Sequence, residues 1–225
     1  MALQWELQQL NKMPVAVILR LQFLQMSKWV RMDSTLLVKA MALCKSALQL
    51  KQMEGKGKSL IHTIEQKSLN ISTEKVNVPD KPFRAFVTYK NVDKLYFRLI
   101  KLDDALVTKL QNAENEYSNQ YYKLLLAQSA FKSWEQKIPD PKDYLTHSVE
   151  IKVDGLPLGR YILISSNSAK YDLELAAITA QEVNVSNISY ISNDEVIFVL
   201  DRTTGKPLPG AKLEVYKPSY REQAK

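Results

Sequence analysis

The sequence predicts an α+β chain: an N-terminal helical hairpin, an antiparallel β-sandwich with a helical insertion, and the first strands of a second β-domain. Three observations predict it. Residues 1–54 hold a single proline, Pro14, and no glycine, and their apolar side chains recur at helical spacing. Beyond residue 83, short runs alternate polar and apolar side chains with the period of a half-buried strand. Residues 103–138 break that alternation, with neither Gly nor Pro and a return to helical rhythm. The divisions drawn are a helical lead-in at 1–66, a sandwich at 67–183 with its insertion at about 103–138, and an incomplete second β-domain at 184–225.

Pro14 suits a first helical turn, where its missing N–H costs nothing. After it Val15, Ile18, Leu19, Phe23, Met26 and Val30 fall on one face. Asp33 or Ser34 caps a further helix whose apolar face is Leu36, Leu37, Ala40, Leu43, Cys44, Ala47 and Leu48. Gly55 and Gly57 are expected to end it. Residues 59–66 read as one more short helix. No second copy follows at a period of about 34 residues, so a tetratricopeptide array is not predicted.

Residues 68–78 are expected to be extended. Residues 83–89 and 95–102, joined by a turn at Asn91-Val92-Asp93, read as a hairpin, with Leu95, Phe97 and Leu99 on one face. In the insertion Leu106, Leu110, Ala113, Tyr117, Tyr121, Leu124, Phe131 and Trp134 keep a helical rhythm, as one helix or as two broken near 115–119. That aromatic stripe is expected to pack against the sandwich, since such spacing is what a buried helix face needs. Residues 148–153 resume the strands, Gly155–Gly159 turn the chain, and 160–165 form the next strand. Residues 173–178 are expected to close the sandwich and 181–185 to link onward.

The last stretch is built from strand and turn signals. Residues 188–191, 196–200 and 211–216 read as three strands, and Gly205 supplies the φ > 0 of a turn. Pro207 and Pro209 make 206–210 a stiff, unpaired crossing segment. Three strands do not close a sandwich of about seven. Open edges and uncovered apolar faces then lead to an expected self-association or folding back of these strands, with Tyr190, Phe198 and Val215 in the contact.

The phrases VSNISYI (185–191) and FVLDRTTGKPLPGAKLEV (198–215) together resemble the opening of a β-domain in the bacterial α2-macroglobulin family. The run PDKPFRAFVTYKNVDKLYFRLIKL (79–102) resembles a preceding domain of the same family, and LPLGRYILIS (156–165) the way macroglobulin and Ig-like domains enter a late strand, with Tyr161 packed beneath Gly159. The resemblance covers roughly residues 60–215. It implies a macroglobulin/Ig-like sandwich in an internal piece of an exported protein, in the periplasm or at the cell surface, whose signal lay upstream. By resemblance the whole protein is an endopeptidase inhibitor, a protease trap of the bacterial cell envelope. Proteases would then be met through parts outside this chain, and neighbouring macroglobulin domains would be its direct partners. The family's thioester motif, Cys-x-Glu-Gln, is absent, because Cys44 is followed by Lys45-Ser46-Ala47. The core Thr204–Ala211 also resembles carboxypeptidase-regulatory-like domains, which keeps open an Ig-like binding or stalk module of an adhesin or surface receptor.

Composition narrows the chemistry. The 225 residues are 45% hydrophobic and 24% charged, ordinary globular values. The net charge of +7 comes from scattered lysines, the densest group being Lys51, Lys56 and Lys58, so solvated surface and no nucleic-acid partner is expected. The apolar run 15–24 is interrupted by Arg20 and Gln22 and has no basic segment before it, so no secretion signal is expected in this chain, and the run is too short to span a bilayer. One cysteine excludes an intrachain disulfide, and Cys44 reads as a small buried hydrophobe. His62 and His147 belong to no His-x-x-x-His or His-Glu-x-x-His zinc motif and read as structural. Gly55-Lys56-Gly57 makes no phosphate loop, and Gly-x-Ser-x-Gly is missing. Asp103/Asp104 and Glu114/Glu116 read as solvated, with Asp103 a helix cap. Asn70, Asn184 and Asn187 begin glycosylation sequons, a short motif of little weight. The sequence therefore yields no catalytic, cofactor-binding or metal residues and no cofactor. An enzyme using the groove beside 117–134 ranks last, for want of an acid, base or nucleophile set.

Overall fold

A computed structural model describes residues 34–47, 54–113, 119–193 and 196–214. The segment Pro14–Val30, the residues Glu114, Glu116 and Tyr117, and residues 215–216 lie outside them. The described chain is α+β, as the sequence predicts.

Helix α1 (Ser34–Ala47) buries Leu37, Ala40, Met41 and Cys44, the i, i+3, i+4, i+7 stripe of an amphipathic helix. Helix α2 (Glu54–Glu65) meets it with Ile64, Leu60 and Ile61, which form one small apolar cluster with Ala40, Met41 and Cys44. Gly55 and Gly57 lie within α2 and do not end α1, contrary to expectation. A helical glycine costs only about 1 kcal/mol, which packing overrides, and Gly57 is buried.

Among the described residues ten strands follow: β1 (Ser68–Thr73), β2 (Val76–Asn77), β3 (Phe83–Lys90), β4 (Lys94–Leu102), β5 (Lys132–Lys137), β6 (Thr146–Val153), β7 (Gly159–Ser166), β8 (Ile178–Val185), β9 (Ile188–Ser192) and β10 (Ile197–Asp201). A three-stranded sheet of order β1-β3-β6 faces a five-stranded sheet of order β2-β8-β7-β4-β5. All pairs are antiparallel except the short β2–β8 contact. Ile71, Ala85, Val87 and Ile151 from one sheet and Leu95, Phe97, Leu99, Leu163 and Val183 from the other fill the space between.

Strands β3 and β4 are not the expected hairpin. Each belongs to a different sheet. Both carry an inward apolar row, Ala85-Val87-Tyr89 and Leu95-Phe97-Leu99, and both rows enter the same core. Placing the strands face to face buries both rows at once. The chain crosses over at Asn91 (φ 55°), with Val92 buried beneath.

The insertion is two helices, α3 (Asp104–Asn112) and α4 (Asn119–Leu126), and it stops earlier than expected. Lys132–Lys137 is strand β5, paired with β4 from Lys94↔Lys137 to Leu99↔Lys132. Trp134 therefore lies on a strand, its ring stacked 4.9 Å from Phe97 at 16°. Its three-residue spacing from Phe131 is not a helix face. The helices cover the outer side of the five-stranded sheet, where Leu106, Leu110, Tyr122 and Leu125 pack with Ile100, Ile162, Ile164 and Ala180. Covered on both sides, β7 is buried continuously from Tyr161 to Ser166.

Of the expected closing strand at 173–178, residues 173–177 form a turn and only Ile178 is strand, as the first residue of β8. Asp172 Oδ1 accepts from the backbone N–H of Glu174 (2.9 Å) and Leu175 (3.2 Å), and Leu175 is 84% exposed. The closing strand is β8, which includes the expected linker 181–185; Val183 and Val185 are core. Two glycines are required by geometry. A Cβ on Gly155 would meet the Asp80 carbonyl at 2.5 Å, and Gly159 has φ 151° above the Tyr161 ring. Tyr161 is fully buried and its hydroxyl donates to Pro157 O at 3.0 Å, tying the corner.

Strands β9 and β10 form a separate two-stranded sheet. The segment after β10 is not an unpaired crossing. Leu208 N donates to Val199 O (2.9 Å), Asp201 N to Lys206 O (2.8 Å), and Leu200 bridges Pro207, so the proline segment lies along the outer edge of β10. Residues 211–214 are not a strand.

Candidate functional site

Two features outside the core present polar side chains in a defined arrangement. The first is the joint between the helices and the sandwich. The last carbonyls of a helix have no partner within it. At the end of α2 they are met by the crossover residues: Asn91 Nδ2 donates to Ile64 O (2.8 Å) and Gln66 O (3.1 Å), and Lys90 Nζ to Thr63 O (3.3 Å). Burial pushes the Lys90 ammonium below its ordinary range. From the other side the loop between β5 and β6 brings Tyr144, at φ 61°, against the apolar cluster of α1 and α2.

Local hydrogen bonds hold that loop. Tyr89 donates to Pro139 O (2.6 Å), Asp140 Oδ1 accepts from Lys142 N (3.0 Å), and Asp143 Oδ1 accepts from Leu145 N (2.9 Å). Asp143 Oδ1 also lies 2.8 Å from His147 Nε2. The bond from His147 holds the Asp143 carboxyl below its usual range, and the Lys142 ammonium does the same for Asp140. Burial pushes the Tyr89 phenol up, helped by Asp140 and Asp143. This arrangement positions helices.

The second feature is an open groove of about 700 Å³ along the outer face of the three-stranded sheet. Its floor is a cross-strand row, Ser72–Phe86–Glu150, with Phe86 48% exposed. Arg84 Nη1 lies 2.7 Å from Glu150 Oε2, an exposed pair of little energetic consequence. At its end Asn77 is buried, its amide donating to Glu74 O at 3.3 Å, and Thr73 Oγ1 is shielded without a partner. The lining mixes apolar rings with amides and both signs of charge.

The singled-out residues do not converge. Cys44 is fully buried in the α1–α2 cluster, and burial raises its thiol. His62 is exposed on α2. His147 does have a partner, Asp143, four residues before it. Asp103 caps α3 by accepting from Leu106 N at 2.7 Å, and Asp104 is exposed in the first turn. Asn70 and Asn187 are exposed and Asn184 is half-buried on β8. Sequence reasoning missed Asn91, whose signal was a turn asparagine able to take φ > 0. It also missed Arg98, which donates to Leu126 O (3.2 Å) and Gln128 O (2.9 Å) and so holds the end of α4. Among the described residues no group of three His, Cys, Asp or Glu is placed to hold a metal ion, and no helix is long and apolar enough to cross a membrane.

No family model and no curated protein matches the chain. Among solved structures, native α2-macroglobulin from Escherichia coli, spanning domains MG0-NIE-MG1, is similar over 64% of this chain at 12% identity and a TM-score of 0.44. This chain spans about half of that one, 48%. The CARDB domain of a Pyrococcus furiosus protein in complex with di-metal ions matches 53% of this chain and 92% of its own at 12% identity and a TM-score of 0.30. Superoxide reductase (neelaredoxin) from Ignicoccus hospitalis matches 57% and 87% at 11% identity and a TM-score of 0.30. At such identities and scores these likenesses carry no argument about activity.

Proposed function

We propose that this chain is a non-catalytic scaffold piece of an α2-macroglobulin-like endopeptidase inhibitor of the bacterial cell envelope. The observation that carries the reading is a pair of phrases in order, 79–102 and 185–215, each resembling the same family at successive domains. The described geometry is compatible with it: polar side chains at the joint satisfy helix carbonyls and anchor a loop, which is spacing and packing work. Proteases meet other parts of the whole protein, and neighbouring domains meet this one.

The test is the product of the whole reading frame. Expressed and incubated with an endopeptidase, it should block digestion of a protein-sized substrate while a small peptide substrate is still cleaved, the signature of steric enclosure. The 225-residue chain alone should leave both reactions unchanged. Inhibition of the small-peptide reaction by this chain, or a full product that spares neither substrate, overturns the reading. The second reading is an Ig-like or carboxypeptidase-regulatory-like binding module. It is favoured by the open groove at Ser72, Phe86 and Glu150, and a membrane anchor or β-barrel encoded downstream would select it.

A further inference from the structure

We propose that the groove on the outer face of the three-stranded sheet is a carbohydrate site, taking a neutral β-1,4-linked oligosaccharide laid flat against Phe86. The inference rests on the binding-module reading of the groove and gives that reading a ligand; it is separate from protease inhibition.

Phe86 is the residue that points there. Among the described residues, β3 is the only strand of the sandwich with an exposed large apolar side chain, Phe86 at 48%. The surface around it is polar. Its own row is Ser72–Phe86–Glu150, and two residues along lies Asn70–Thr88–Ser148, with the Thr88 and Ser148 hydroxyls 3.3 Å apart. An apolar partner surface would cover Phe86 only by stripping water from those hydroxyls and amides. A pyranose avoids that conflict. One side of its ring presents C–H groups, which the negative face of an aromatic ring attracts, and its rim is hydroxyl.

The charges fit a neutral ligand. Those that line the groove are Glu74, Lys81, Arg84 and Glu150, two of each sign. Arg84 Nη1 lies 2.7 Å from Glu150 Oε2, and both side chains stay more than half exposed. The pair cancels its own charge and keeps further guanidinium N–H donors and a carboxylate oxygen open to solvent. Neighbouring sugar hydroxyls, each donor and acceptor, match such a pair, whereas a polyanion meets no net attraction.

The floor sets the shape. Strand β3 pairs with β1 on one side and β6 on the other, so the backbone groups of the floor are used within the sheet. A peptide gains no strand addition there, and recognition runs through side chains. Three strands at about 4.8 Å spacing make a floor about 10 Å across, and the groove above it holds about 700 Å³. An open floor of that kind receives a flat ribbon. A β-1,4-linked chain is one, whereas an α-1,4-linked chain coils away.

Calorimetric titration of the 225-residue chain with cellohexaose and with chitohexaose should show binding of at least one. The dissociation constant should be on the order of 0.1–1 mM, because an open groove covers one side of the ligand only. It should not change with salt, since the ligand carries no charge. Maltohexaose, the coiled α-1,4 chain, should bind roughly tenfold more weakly or not at all. Phe86→Ala should weaken binding by roughly tenfold, and Phe86→Trp should retain it. Arg84→Ala, at a side chain 77% exposed, leaves the sandwich at its wild-type urea midpoint and should weaken binding about fivefold. No binding of either β-1,4 sugar overturns the proposal, as does binding that Phe86→Ala and Arg84→Ala leave unchanged. Equal binding of maltohexaose overturns the flat-ribbon assignment. Failure of these titrations is distinct from failure of the binding-module reading, which a downstream anchor or β-barrel decides.

Discussion

The sandwich and the β9–β10 hairpin are made from the same residue types and end differently. In the sandwich each apolar row meets another: Ala85 and Val87 face Leu95, Phe97 and Leu163, and all are nearly or fully inaccessible. In the hairpin Phe198, Ile191 and Tyr190 remain half or more exposed. An isolated two-stranded sheet is marginal at best, whereas sheets that share a core are stable. The difference teaches that alternation supplies an apolar face but stability requires a second face to cover it.

The largest expected effect contrasts the two regions directly. Phe97→Ala removes a buried ring stacked on Trp134 and should cost about 3–5 kcal/mol in urea unfolding of the sandwich. Phe198→Ala, the same change in the hairpin, should shift that transition by less than about 0.5 kcal/mol. Equal losses would mean that the hairpin belongs to the same cooperative unit, and the contrast would be gone.

The joint sharpens the comparison, because it is held by polar bonds where the sandwich is held by packing. Asn91→Gly keeps the left-handed backbone and removes the side-chain amide from Ile64 O and Gln66 O. Hydrogen exchange in α2 should accelerate by about one to two powers of ten, from roughly 1–3 kcal/mol of lost bonding, while β7 stays protected. Acceleration throughout β7 would show that the helices and sandwich open together.

A smaller effect is expected at the corner. Tyr161→Phe deletes the bond to Pro157 O and should cost about 1 kcal/mol, with no change in the slope of the urea transition.

The smallest effect is the pH dependence of the β5–β6 loop. Asp143 titrates below its ordinary value in the folded state, so its contribution to stability is present above the ordinary carboxylate range. It is lost as pH falls through the depressed folded value. His147→Ala should move the Asp143 titration, followed by carboxyl carbon NMR, back upward and shrink that acid-side loss. No movement would assign the depression to the backbone bond from Leu145.

Much of the local structure was legible in the residues. The alternation in 83–89, 95–102 and 148–153 marked β3, β4 and β6, because a half-buried strand needs period two, whereas β7 was placed by the turn at Gly155–Gly159 before it. Asp103 announced the start of α3, and Gly159 with Tyr161 announced a corner, because caps and corners are made by residues close in sequence. Those features depend on neighbours along the chain, and a sequence carries its neighbours with it.

What only the tertiary structure decided is which surface meets which. The row Leu95-Phe97-Leu99 needed cover, and nothing in it says whether Ala85-Val87-Tyr89 lies beside it or across from it. Trp134 sits on a strand because the edge of β4 was open to Lys132–Lys137, although its spacing from Phe131 suits a helix equally. Residues 173–177 lost the closing position because Asp172 satisfies a turn and Val183 reaches the core from β8. Asn91 and Tyr144 became the joint because the crossover and the β5–β6 loop converge on α2. Burial is a property of two surfaces, and a one-dimensional pattern specifies one of them.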